Sequence, residues 1–213
     1  MGVSTLFTED RTDSIDVPFS YYEPKLLRHK AQHQVFLCDY DTFPNPTGGS
    51  NLSCILKLFS SRAQNSFKRE VSAYTVIESN LIYSKPVAKK LWSGRWDASK
   101  YKEFVQVGNF PSVLRRSERN INVLMISFIK HGKELSRISL TEQSVRAAIK
   151  ALQTLHSVGI AYGNISTSQV LVWRERERYE AKWVDLSSSI VGASQRVLSR
   201  EWQSCLEYFS KLV

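Results

Sequence analysis

Residues 54–78 read Cys-Ile-Leu-Lys-Leu-Phe-Ser-Ser-Arg-Ala-Gln-Asn-Ser-Phe-Lys-Arg-Glu-Val-Ser-Ala-Tyr-Thr-Val-Ile-Glu. The first six residues form an apolar run of strand length that contains a single charge, Lys57. From about residue 63, apolar side chains recur every three or four positions, which predicts an amphipathic helix ending near Glu78. Because a helix turns by about 100° per residue, Glu70 falls on the apolar face of that helix. The stretch therefore predicts a strand and then a helix, each carrying one charge toward the core.

Shorter patterns on both sides of this stretch predict the other elements. Further strands are predicted at 35–37, 87–92, 122–129, 170–173 and 181–185. Ser139 and Glu142 match a capping box, which predicts the start of a long helix, and Gly159 is placed to end it. A last helix shows an apolar stripe over 202–212. This order predicts an α+β fold with a sheet-rich first half and a helical second half.

Composition limits the classes of protein to which the chain can belong. It has 213 residues, three cysteines at wide spacing and a formal net charge of +9. No apolar run approaches the ~18 residues of a membrane span, and the cysteines form no disulfide or zinc pattern. We therefore expect an intracellular protein, cytoplasmic or nuclear, without membrane partners. The polar residues 1–17 are expected to be a disordered N-terminus.

Four features of the sequence follow one another in an order that resembles the protein-kinase superfamily. Lys57 lies in the middle of a strand, and Glu70 lies on the helix that follows. The stretch 155–172, Leu-His-Ser-Val-Gly-Ile-Ala-Tyr-Gly-Asn-Ile-Ser-Thr-Ser-Gln-Val-Leu-Val, is similar to the catalytic loop of that family. Residues 183–187, Trp-Val-Asp-Leu-Ser, are similar to its metal-binding D-F-G segment. The chain thus resembles the compact, divergent kinase-like domains.

The resemblance implies an architecture and a role for five residues. It implies a protein-kinase-like fold with a sheet-rich N-lobe over 18–131 and a truncated, mainly helical C-lobe over 132–213. Two residues match the nucleotide-binding positions of the family, one matches the catalytic aspartate position, and two match the metal-binding positions. Lys57 and Glu70 match the nucleotide-binding positions, Asn164 matches the catalytic aspartate position, and the metal-binding positions are matched by Asp185 and Gln169. The implied cofactors are ATP and Mg²⁺.

Departures from the family pattern affect the chemistry. Asn164 replaces the aspartate that accepts the substrate proton, and general-base help is worth about 10²–10⁴-fold in rate. The glycine-rich loop that covers the phosphates has no counterpart, because no glycine occurs between residues 3 and 47. We therefore predict a pseudokinase that binds ATP, has weak or no phosphoryl transfer and acts through a protein partner or an oligomer. An active atypical protein kinase, or a small-molecule phosphotransferase, is the alternative.

A third hypothesis comes from the distribution of charge. Residues 85–119 contain nine lysines and arginines against three acids. Such a basic stretch is typical of nucleic-acid-binding modules, although it also occurs as a solvated loop. No RNA-binding signature or helix-turn-helix pattern accompanies it, so we rank nucleic-acid binding below both kinase-like hypotheses.

Overall fold

The largest element is an antiparallel sheet of five strands. The computed structural model describes residues 19–29, 33–42, 52–80, 86–97 and 120–212. The strands are β1 (Phe19–His29), β2 (His33–Thr42), β3 (Leu52–Phe59), β4 (Lys90–Asp97) and β5 (Asn120–Ser127). Their order in the sheet is β1-β2-β3-β5-β4, so β3 is central and β1 is an edge strand. The central position of β3 fits its almost wholly apolar sequence.

Helix α1 (Gln64–Asn80) packs against one face of this sheet. The buried residues of α1 are Glu70, Ala73, Tyr74 and Ile77. Residues 55, 57 and 59 of β3 share the face that looks toward this helix, because side chains alternate along a strand. The opposite face belongs to a separate apolar cluster that includes Phe36, Leu56 and Met125. The charge of Lys57 is therefore on the helix side of the sheet.

The C-terminal part contains two longer helices and two small sheets. The helices are α2 (Glu142–Ser157) and α3 (Gln195–Ser210). One sheet has the order β6-β8-β9 and the other pairs β7 with β10. These strands are β6 (Lys133–Glu134), β7 (Ile160–Ala161), β8 (Val170–Glu175), β9 (Arg178–Trp183) and β10 (Ile190–Val191). The short β8–β9 hairpin turns at Arg176, whose backbone is left-handed.

Trp183 connects the C-terminal part to the sheet-rich part. Its backbone N–H donates to Pro86 O over 2.8 Å, and residues 87 and 183 form a parallel bridge. Its indole N–H donates to Ala148 O on α2 over 3.0 Å. The indole is fully buried in an apolar cluster to which α1, α2 and α3 all contribute. Because one apolar cluster spans both parts, their contact surface resembles a domain interior.

The structure confirms the predicted α+β class and corrects several details. The strand predicted at 87–92 begins only at Lys90, since residue 87 pairs with Trp183 instead. The predicted capping box is wrong: Thr141 is the N-cap and exchanges hydrogen bonds with Ser144 at the third helical position. On α3, Leu206 is exposed although it lies on the predicted apolar stripe.

Two sequence predictions fall outside the described residues. The expected disorder of 1–17 lies entirely outside them, and so does most of the basic stretch 85–119, of which only 86–97 is described. Among the described helices, none combines the length and apolar character needed to cross a bilayer.

Candidate functional site

The centre of the candidate site is a buried ion pair between the sheet and α1. Lys57 Nζ lies 2.5 Å from Glu70 Oε1, and the two side chains are 5% and 0% exposed. Lys57 Nζ also lies 3.9 Å from Asp185 Oδ1, which follows β9. A strand, the helix that follows it and a segment more than 100 residues later therefore bring one ammonium and two carboxylates together. A buried charge is costly without a partner, and this arrangement supplies one to Lys57.

Glu70 is held between Lys57 and the backbone that follows Asp185. Its Oε1 also accepts a hydrogen bond from Leu186 N over 3.3 Å, whereas its buried Oε2 has no hydrogen-bond partner among the described residues. Burial raises the pKa of Glu70, Lys57 lowers it, and the nearby Asp185 raises it further. The net effect is a pKa above the ordinary value, so folding costs more free energy when this carboxyl is ionised.

Asp185 has an unusual backbone conformation. Its φ of 68° and ψ of 73° lie in the left-handed region, which a residue with a Cβ adopts at a cost of about 1–2 kcal/mol. The Ser187 hydroxyl donates a hydrogen bond to Asp185 Oδ1 over 2.6 Å. The carboxylate is 10% exposed and is thus oriented by both Lys57 and Ser187. Left-handed non-glycine residues are concentrated at functional sites, where the surrounding structure compensates for the strain.

The loop that contains Asn164 is anchored to this segment by Tyr162. The phenol of Tyr162 donates to Val184 O, and its ring lies 4.5 Å from the Trp183 ring, centroid to centroid. Burial is the main cause that raises the pKa of Tyr162 well above the ordinary value, and the neighbouring Asp185 adds to it. The hydroxyl therefore stays a donor. The loop and the Asp185 segment are held together by a contact that titration does not break at neutral pH.

Glu201 on α3 is a site residue that sequence reasoning missed. Its Oε2 lies 2.7 Å from His156 Nε2 and accepts from Tyr162 N, and its Oε1 accepts from Gly163 N. Burial raises the pKa of Glu201, but these hydrogen bonds outweigh burial, so the pKa lies below the ordinary value. The sequence signal was weak, because an acid next to the apolar stripe of a helix is usually exposed.

A cavity of about 230 Å³ opens beside Lys57. Its polar lining includes Lys57, Asp185, Gln169 and Arg28. A second cavity of about 340 Å³ adjoins it, and the two share several lining residues. The shared lining consists of Leu27, Ile55, Ile126, Glu134, Arg137, Leu171 and Val184. Together they form a cleft in which the residues that line only the larger cavity are mostly apolar and those that line only the smaller cavity are mostly polar or charged.

The five predicted site residues fall into two groups. Lys57, Asp185 and Gln169 line the cleft, and Glu70 lies directly behind Lys57. Gln169 is buried, and its Oε1 has no hydrogen-bond partner in the part of the chain that the structure describes, although its backbone carbonyl accepts from Val184 N over 2.9 Å. Asn164, in contrast, is exposed and is not among the residues described as lining either cavity. The structure thus brings four of the five residues to one place.

Arg28 is a second residue of the site that the sequence did not indicate, and it lines the smaller cavity. It lies on the edge strand β1, and its guanidinium donates to Glu134 and, over 3.2 Å, to Ser168 O. Glu134 is also bound by Arg137, whose Nε lies 3.0 Å from Glu134 Oε2. The two contacts of Arg28 join residues 106 and 140 positions apart, so no local pattern could predict them.

Comparison with known proteins identifies no relative. The sequence matches no protein-family model, and no curated protein is significantly similar to it. Within the described ranges, no cluster of three or more His, Cys, Asp or Glu side chains has the arrangement of a metal site. A cation in the cleft would therefore depend on fewer carboxylates, together with carboxamide oxygens and water.

Proposed function

We propose that this chain is a kinase-like protein of the pseudokinase type that binds a nucleotide in the cleft beside Lys57. The observation that carries the proposal is the buried set formed by Lys57, Glu70 and Asp185, with Nζ–O distances of 2.5 and 3.9 Å. In the family that the sequence resembles, the corresponding lysine contacts phosphates and the corresponding aspartate binds Mg²⁺. A buried charge network at the wall of a cleft is a common feature of functional sites.

The two halves of the cleft fit the two halves of a nucleotide. The apolar groups that line only the larger cavity, Ala88, Phe128 and Ile129, suit a flat heterocyclic base. The smaller cavity contains Lys57, Arg28 and Asp185, which suit phosphates and their counter-ion. A ligand with an aromatic end and an anionic end would therefore use both cavities.

Asp185 and Gln169 are the residues that would hold Mg²⁺. Gln169 Oε1 is a buried acceptor to which no described residue donates, and Asp185 supplies a carboxylate at the same cleft. Both are hard oxygen ligands, and Mg²⁺ in nucleotide sites usually takes one or two carboxylates, phosphate oxygens and water. The residues therefore fit the ion. When bound, Mg²⁺ would neutralise phosphate charge in the cleft.

The proton-handling part of the site does not support fast chemistry. Asn164 carries a carboxamide, which cannot accept a proton from a substrate hydroxyl, and it lies exposed outside the described cleft lining. We therefore propose that phosphoryl transfer is weak or absent. The chain would instead act through a protein partner or its own copies, and the bound nucleotide would stabilise the conformation that makes this interaction.

Thermal unfolding with and without Mg²⁺–ATP tests the proposal. A ligand at 100 times its Kd adds about 2.7 kcal/mol of stability, which raises the Tm by about 5–10 °C for a chain of this length. We expect this shift in the native chain and in a Lys150→Ala control, which removes an exposed lysine on α2. The shift should disappear in Lys57→Ala. If that variant does not fold, Lys57→Met combined with Glu70→Leu removes both charges at once.

Three results would contradict the proposal or part of it. If millimolar Mg²⁺–ATP produces no shift in Tm, the proposal that the chain binds a nucleotide is wrong. ATP turnover in the native chain that Asp185→Ala abolishes would favour an active atypical kinase or small-molecule phosphotransferase over a pseudokinase. Turnover that Asp185→Ala leaves unchanged would show that the assigned role of Asp185 is wrong.

A further inference from the structure

Arg28 crosses the cleft from the sheet-rich part to the C-terminal part. It starts on β1, lines the smaller cavity together with Lys57, and reaches Glu134 on β6 and the carbonyl of Ser168. Its side chain is 31% exposed, so it lies at the mouth of the cavity, whereas Lys57 lies at the inner wall. One cavity is therefore lined by two cations, Arg28 near its mouth and Lys57 at its inner wall.

We propose that Arg28 is an oligophosphate-binding residue. Its guanidinium pairs with Glu134 in this structure and moves to the anionic part of the ligand when the ligand binds. This inference rests on the proposed function, since it assigns Arg28 to the phosphates of the same ligand. It adds a residue and a chemical preference: the cleft selects ligands that carry two or more phosphate groups, because Arg28 at the mouth and Lys57 at the inner wall would each contact a phosphate.

The first supporting observation is that Glu134 forms ion pairs with two arginines. Arg28 binds its Oε1, and Arg137 binds its Oε2 over 3.0 Å. When Arg28 leaves, Glu134 keeps the cation of Arg137 and is not left as a lone charge. Because an unpaired, partly buried carboxylate would oppose the transfer, the second arginine lowers the free-energy cost of releasing Arg28.

The second observation is the position of Arg28 in the sheet. Among the described strands β1 pairs with β2 alone and so forms an edge, and the pairing is irregular between Leu26 and Arg28. A bulge at an edge re-aims side chains without disturbing the central strands. A small change at this bulge can therefore move the guanidinium while β3 and Lys57 stay in place.

The third observation concerns chemistry. Arginine presents two parallel N–H donors that match phosphate oxygens, and it keeps its charge at every physiological pH. No glycine occurs between residues 3 and 47, so a glycine-rich phosphate loop is not encoded around β1 and β2. A side-chain cation from β1 supplies charge where such a loop would otherwise supply backbone N–H groups.

Calorimetric titration with inorganic tripolyphosphate at low salt tests this inference without a nucleotide base. We expect Arg28→Ala to weaken tripolyphosphate binding by about tenfold or more, the value of a charged hydrogen bond. Glu134→Gln releases Arg28 and should strengthen binding by about two- to fivefold. Arg146→Ala is the matched control, since Arg146 also pairs with a glutamate, Glu142, but on the outer face of α2. It should leave tripolyphosphate binding unchanged.

The outcomes separate this inference from the proposed function. If tripolyphosphate does not bind, or if Arg28→Ala behaves like Arg146→Ala, the role of Arg28 is overturned. If tripolyphosphate binding depends on Arg28 but ATP binds no more tightly than tripolyphosphate, the inference stands and the nucleotide proposal fails. If Arg28→Ala does not fold, Arg28→Lys keeps the charge and loses the paired donors. It should then weaken binding, and equal affinity would overturn the inference.

Discussion

The ammonium of Lys57 and the carboxylate of Glu70 meet at 2.5 Å in the interior, 13 positions apart in sequence. Because both groups are desolvated, removal of one partner leaves a buried charge with incomplete compensation. We expect Glu70→Ala to lower the free energy of unfolding by about 3–5 kcal/mol, measured by urea denaturation. Replacement of both residues, Lys57→Met with Glu70→Leu, should cost much less, since buried ion pairs exchange for apolar pairs at little net cost.

The exposed pair Arg146–Glu142 on α2 is the control for this experiment. Breaking it with Glu142→Ala should change stability by less than about 1 kcal/mol, because exposed ion pairs contribute little. A double variant as unstable as Glu70→Ala alone would show that the lost Glu70 partner is not the cause: lost packing, or the Asp185 carboxylate left without Lys57, would then account for the cost.

The hydrogen bonds to Glu201 should make stability depend on pH. The pKa of Glu201 is lowered in the folded chain, so its contribution is fully present above the ordinary value of 4.5 and is lost as pH falls through the folded value. We expect the native chain to lose stability below about pH 4.5 more steeply than Glu201→Gln does. Urea denaturation at a series of pH values measures this difference.

The Glu201→Gln variant should also be less stable at neutral pH by about 1–3 kcal/mol, because hydrogen bonds to a charged acceptor become hydrogen bonds to a neutral one. Glu142→Gln, on the exposed face of α2, serves as the control and should keep the native pH profile. Identical pH slopes for Glu201→Gln and the native chain would contradict the role assigned to this carboxylate.

Gly163 should tolerate no side chain. Its φ is +84°, and an added Cβ would lie 2.3 Å from Ser188 O, a backbone atom that cannot move without shifting the Asp185 segment. Gly163→Ala should therefore destabilise the chain by more than the ~1–2 kcal/mol of left-handed strain alone. Gly159→Ala is a matched control, because Gly159 has a φ of +73° but no atom within 4 Å of the added Cβ. Equal costs for the two variants, read from thermal unfolding, would show that the close approach to Ser188 is unimportant.

The Ser187 hydroxyl should compete with a cation for Asp185. It donates to Asp185 Oδ1 over 2.6 Å, and a carboxylate oxygen engaged in this bond is a weaker metal ligand. If the cleft binds Mg²⁺–nucleotide, Ser187→Ala should lower the Mg²⁺ concentration needed for half of the ATP-induced Tm shift, by about two- to tenfold. Ser210→Ala, which removes an exposed hydroxyl at the end of α3, should change nothing. A higher Mg²⁺ requirement in Ser187→Ala would mean that the hydroxyl orients the carboxylate for the metal.

Local patterns explain the parts of the fold that the sequence predicted well. The apolar run of β3 and the helical spacing of α1 identify both elements, because alternation and a 3.6-residue period depend only on neighbouring residues. The burial of Glu70 follows from the same spacing, and a buried Lys57 on the preceding strand makes their pairing predictable. The start of α2 was placed wrongly, since Ser139 and Thr141 both match N-cap chemistry and local sequence does not choose between them.

The amino-acid sequence by itself determined the α+β order of elements, the central buried strand with its lysine, and the helix with an inward glutamate. Only the tertiary structure decided which distant groups complete the site: Arg28 against Glu134, Tyr162 against Val184, and Glu201 beneath the loop. The physical reason is range. Periodicity is set within a few residues, whereas a hydrogen bond across 22, 38 or 106 positions exists only after packing brings its two partners together.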